Sequence, residues 1–144
     1  MLDEFLLLLD RRQPFGDSLV HLRHALGQLQ VRHRIHVIVF VVGALRPGDG
    51  SEAFRRAVSE SWLPSLRAFR PALLCISAGF DAHGQDPSGD LRLQADDYGW
   101  IGAELQALAA ELCDGRVVAM LEGGYNLATL GRCVGEFVRP FLAP

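Results

Sequence analysis

Lysine is missing altogether: each of the 14 basic residues among the 144 is an arginine, which reads as compositional bias rather than chemistry. No basic run with interleaved aromatics occurs either. With a net charge of -3 and an isoelectric point near 5.9, nothing marks the chain as a nucleic-acid binder. Cysteine is scarce, and Cys75, Cys113 and Cys133 form an odd set with no C-x-x-C pair. A disulfide framework is therefore not expected; buried thiols and a reducing cytoplasm are. No apolar run is long enough to span a bilayer. The N-terminal patch around Leu6-Leu7-Leu8-Leu9 is short, and Asp3 and Glu4 stand where a secretory signal would be positive. No internal repeat is present.

What the sequence does have is apolar content: 49% of residues, with a mean hydropathy of +0.16. That suits one domain burying roughly two thirds of its unfolded surface. The organising stretch is Leu73-Leu74-Cys75-Ile76-Ser77-Ala78-Gly79-Phe80-Asp81-Ala82-His83, an apolar run that ends in small residues, an acid and an imidazole. It reads as a strand buried on both faces, followed by a loop from Gly84 to Gly89. Arg116-Val117-Val118-Ala119-Met120-Leu121-Glu122-Gly123-Gly124-Tyr125-Asn126 has the same form. If the two strands run parallel, Asp81 and Tyr125 share the carboxyl edge of the sheet, where ligands of open parallel sheets bind.

In chain order, Asp17-Ser18 can cap a helix from Leu19 to about Gln30, and Ile35 to Val42 is a β-branched strand. His21, His24, His33 and His36 lie close in sequence, but no carboxylate or thiol completes a metal set. Ser51 caps a helix over about Glu52–Phe69, which Pro64 should kink or divide. Trp62 and Trp100 fall at core positions of helices. Leu91 and Leu93 form a short extended piece. Asp96 or Asp97 starts a helix to about Leu112, stopped by Asp114-Gly115. Asn126 opens a last helix to about Val138, ended by Pro140. The order β-α-β-α-β-α predicts an α/β fold with a mostly parallel sheet and right-handed crossovers.

Taken alone, Asp81 could simply cap a turn, Tyr125 could pack, and His83 reads as a loop histidine near the rim. The glycine turn before Asn126 could cradle an anion, but it is not G-x-G-x-x-G and no acidic ribose ligand is evident.

The stretch from Arg70-Pro71 through Ser77-Ala78-Gly79-Phe80-Asp81-Ala82-His83, then Asp86-Pro87, then Leu121-Glu122-Gly123-Gly124-Tyr125-Asn126 resembles the histone deacetylase superfamily. That superfamily includes acetylpolyamine amidohydrolases and acetoin-utilisation proteins. The resemblance begins near Leu45-Arg46-Pro47-Gly48-Asp49-Gly50 and corresponds to the final part of a longer domain. It divides the chain into an unmatched segment, 1–40, and a deacetylase-like C-terminal part, 41–144.

The resemblance implies a partial arginase/deacetylase-like fold, a three-layer αβα sandwich, and zinc-dependent hydrolysis of an acetyl-amide such as acetyl-lysine or an acetylpolyamine. It makes Asp81 a metal carboxylate and Tyr125 the catalytic hydroxyl that donates to the oxyanion. Gly79, Phe80, Gly123 and Gly124 would line the substrate channel with backbone, and Asp86 and Pro87 would fix a loop. The family's Asp-x-His ligand pair and His-His base pair are not found in this sequence, and His33-Arg34-Ile35-His36 does not resemble them. The expectation is a truncated, weakly active or inactive form. The alternative is a non-catalytic α/β module that self-associates or pairs with a complementing N-terminal half.

Overall fold

In the computed structural model, which describes residues 45–142, the organising run forms strand β1 (Leu74–Ala78). It pairs in parallel with β2 (Val117–Leu121), in a register that sets Leu74 beside Val117 and Ala78 beside Leu121. The helix expected from Leu19, the strand expected from Ile35 and the four early histidines lie outside the described residues.

β1 is buried at Leu74, Cys75 and Ile76, as a central strand should be. β2 departs from the expected double burial: Val118 is 48% exposed and Leu121 58%. The cause is its position. Among the described residues β1 is its one neighbour, so the outer side of β2 meets no other strand.

The helices pack on the face that carries Leu74, Ile76, Ala78 and Val117. Ahead of β1 come α1 (Ser51–Ala57), a wide π-helical turn (Val58–Trp62) and α2 (Leu63–Phe69). The helical backbone runs on without a break, and only its hydrogen-bond ladder widens, ahead of the proline. Pro64 falls in the first turn of α2, where the N–H it lacks would have no helical partner within that segment. Phe54, from α1, meets the edges of Trp62 and Trp100, each with ring centroids 6.0 Å away.

Helix α3 (Ala95–Cys113) starts one residue earlier than its sequence suggests. Gln94 is the cap: Asp97 Oδ2 accepts the N–H of Gln94 at 2.9 Å, and the Gln94 backbone carbonyl accepts the N–H of Asp97 at 3.0 Å. Asp97 is almost fully buried, so its carboxylate needs further donors. Ser51 Oγ (2.6 Å) and Arg55 Nε (2.9 Å) supply them. Ser51 is therefore not a helix cap: that position belongs to Gly50, and the Ser51 hydroxyl ties α1 to α3 instead. Asp114 and Gly115 end α3 in the left-handed region, with φ of 52° and 72°.

Helix α4 (Leu127–Leu142) is capped by Asn126, whose Oδ1 accepts the N–H of Ala128 at 3.0 Å. Pro140 does not end it. So close to the C-terminus, proline removes a single helical hydrogen bond, and Phe141 still packs on Phe137 with ring centroids 5.6 Å apart. Gly135 is exposed on α4, and nothing stands within 4 Å of the place a methyl group would occupy. Gly135→Ala should therefore stabilise the chain by about 0.5–1 kcal/mol, read as a higher urea midpoint. No helix among the described residues is long and apolar enough to cross a membrane.

Candidate functional site

The ladder between the strands continues past their ends. Glu122 donates its N–H to the carbonyl of Ala78 (3.0 Å), and Phe80 donates its N–H to the carbonyl of Gly123 (2.9 Å). The turns Gly79-Phe80-Asp81 and Gly123-Gly124-Tyr125 are thereby joined by backbone. Asp81 lies directly over the second turn: a Cβ on Gly123 would stand 2.7 Å from its Cγ and Oδ1, and one on Gly79 2.9 Å from Oδ1. Only glycine leaves room for the carboxylate at these two positions. Gly124 has φ of 132°, open to glycine and closed to most other residues. The chain then presents Tyr125, with 60% of its surface exposed.

Asp86 holds this turn from below. Its Oδ2 accepts the N–H groups of Tyr125 (2.7 Å) and Asn126 (3.0 Å), and Oδ1 accepts that of Ser88 (2.9 Å). Burial pushes its carboxyl up, but the three N–H donors, with His83 nearby, outweigh burial and hold it below the usual carboxylate value. Asn126 Nδ2 adds a bond to the carbonyl of Gln85 at 2.7 Å. Pro87, beside Asp86, is exposed.

Phe80 contributes backbone to the site and its ring to the core, tilted against Tyr98 with ring centroids 5.0 Å apart and roughly perpendicular to Phe137 at 6.0 Å. Tyr98 Oη donates to the Phe80 carbonyl at 3.1 Å and so fixes the turn before Asp81. Burial, followed by the nearby acidic groups, pushes its phenol far up, and the hydroxyl stays a donor. Nothing in the sequence around Tyr98 singles it out. Gly89 was likewise hidden: the loop folds back so closely that any side chain there would overlap the Asp81 carbonyl.

His83 is not at the rim. It is only 6% exposed, because its backbone bridges to Leu93 and the loop closes around it. Its Nδ1 accepts the N–H of Gln85 at 3.2 Å. All three cysteines are buried and free, and burial pushes the Cys75 and Cys133 thiols up, which leaves them poor nucleophiles.

A zinc site needs about three protein ligands. Among the described residues no grouping of three or more His, Cys, Asp or Glu side chains could hold a metal ion. Asp81 is a single carboxylate, so these residues do not by themselves fit zinc.

A family model described as the histone deacetylase domain matches residues 28–141. The chain belongs to the histone deacetylase family. Its relatives include histone deacetylase 10, chloroplastic, of Oryza sativa subsp. japonica, 41% identical over 95 residues. A probable deacetylase of Archaeoglobus fulgidus is 41% identical over 83 residues. The alignments cover 66% and 58% of this chain but 21% and 23% of those proteins. The deacetylase-family fold is shared with the crystal structure of acetylpolyamine aminohydrolase from Burkholderia pseudomallei, at a TM-score of 0.62 and 24% identity. That likeness covers 76% of this chain and 38% of the other.

Proposed function

We propose that residues 41–144 form the C-terminal part of a zinc-dependent deacetylase that hydrolyses an acetyl-amide, of acetyl-lysine or acetylpolyamine type. The observation that carries the reading is the Asp81 carboxylate seated on Gly123, two residues before Tyr125, at the tips of adjacent parallel strands. Tyr125 is the catalytic residue: its exposed hydroxyl donates to the oxyanion that forms when the acetyl carbonyl is attacked. Asp86 positions it through the backbone. Asp81 is one metal carboxylate, and further ligands must come from outside the described residues. On its own the chain is therefore weakly active or inactive, and its three free thiols suit the cytoplasm.

Metal analysis of the purified chain by mass spectrometry, with turnover of an acetyl-lysine peptide and an acetylated polyamine, tests this. Zinc should be well below one per chain and turnover negligible. Stoichiometric zinc with turnover would overturn the weak-activity reading. Where the wild type does take up zinc, equal uptake by Asp81→Asn would remove Asp81 from the metal role.

The exposed apolar residues of β2, Val118 and Leu121, favour a second reading, a non-catalytic module that pairs with another copy or with a complementing N-terminal half. A monodisperse monomer by light scattering at high concentration would count against self-association.

A further inference from the structure

Backbone groups point alternately to the two sides of β2. Leu74 donates its N–H to the carbonyl of Arg116, and Glu122 donates its N–H to that of Ala78, each at 3.0 Å. In this parallel register Arg116, Val118, Met120 and Glu122 turn their backbone groups towards β1. Val117, Ala119 and Leu121 therefore turn theirs outward, where among the described residues no strand meets them. The five residues of β2 include neither a charge nor a proline, two of the devices that keep an open edge single. We infer that this edge binds the same edge of a second copy of the chain, antiparallel, about a two-fold axis through Ala119.

The edge is complementary to itself. About that axis Val117 of one copy faces Leu121 of the other, Val118 faces Met120, and Ala119 faces Ala119. The residues with outward groups thus meet one another, and each becomes a hydrogen-bonded pair. Arg116 of one copy falls opposite Glu122 of the other, so that opposite charges close the ladder at both ends. A slip of one residue would set outward-turned groups against inward-turned ones, and a slip of two would part the charges. Within one copy Arg116 pairs with Asp114 and Glu122 accepts the Ser77 hydroxyl, both in exposed positions, so their charges stay available. Val118 and Leu121, the exposed apolar residues of β2, would lose water to the second copy. The axis stands perpendicular to the sheet, which leaves the helices of both copies on one face. The inference rests on the self-associating reading above and gives it a partner and a register.

Sedimentation equilibrium of the full chain, with hydrogen exchange followed from dilute to concentrated protein, tests the interface. A dimer is expected. The Val117, Ala119 and Leu121 amides should slow far more with rising concentration than those of Val118 and Met120, which β1 already holds. Arg116→Glu and Glu122→Arg should each weaken the dimer about tenfold, because like charges then face each other at both ends. Mixed in equal amounts, the two variants should regain the wild-type affinity, since each supplies the charge the other has lost. That recovery also shows both variants to be folded. A monomer at every concentration would overturn the self-associating reading and the interface together. A dimer unmoved by either variant, or variants that mixing does not rescue, would overturn the interface alone. So would protection of the three outward amides that is equal at all concentrations, as a strand of the same chain would give.

Discussion

Gly102→Ala should cost the chain about 3 kcal/mol, enough to lower its urea midpoint sharply. Intrinsic propensity points the other way, since alanine is favoured over glycine in a helix by about 1 kcal/mol. Packing decides the sign. A methyl group on Gly102 would overlap the carbonyl of Phe137 and come within 3.1 Å of its carbonyl carbon. Those atoms are backbone of α4, so no rotamer change relieves the clash and the two helices must part. They carry the core between them, with Ile101, Leu105, Cys133 and Phe137 all buried. A Gly102→Ala protein as stable as the wild type would mean that α3 and α4 are not in this close contact.

Asp86→Asn should cost about 2 kcal/mol and speed hydrogen exchange roughly thirtyfold at the Ser88 amide or at those of Tyr125 and Asn126, according to which way the new amide faces. The substitution keeps the volume but turns one acceptor into a donor. Whichever way the amide faces, at least one of the three N–H groups now held by Asp86 meets another N–H. The acid limb of stability should change too. The folded-state carboxyl titrates below its ordinary value of 3.8, so the stability it contributes is fully present above that pH. It is lost as pH falls through the lower folded value. The asparagine variant lacks this contribution and should show a shallower decline in acid. Unchanged exchange at Ser88, Tyr125 and Asn126 alike would remove Asp86 as the group that fixes the turn.

Much of this arrangement was legible because local chemistry wrote it. The Leu74–Ala78 and Val117–Leu121 runs end where glycines stop them, and Asp114-Gly115 breaks α3 with residues that tolerate positive φ. Asn126 caps α4 as its side chain predicts. What stayed hidden depends on partners distant in sequence. Ser51 looks like a cap until Asp97, 46 positions later, claims its hydroxyl. His83 reads as a loop residue near the rim until its backbone bridges to Leu93. Tyr98 shows no sign that it will bond the carbonyl before Asp81. Of the candidate site, motif resemblance named Asp81, Asp86 and Tyr125. The supports that hold them were legible only in three dimensions.

The backbone bonds beyond β1 and β2 have a mechanical consequence. Because the two loops are stitched together at Ala78–Glu122 and Phe80–Gly123, they cannot travel independently. Anything that levers Asp81 outward drags the tyrosine's anchor with it, so the acid and the phenol behave as two teeth on one comb.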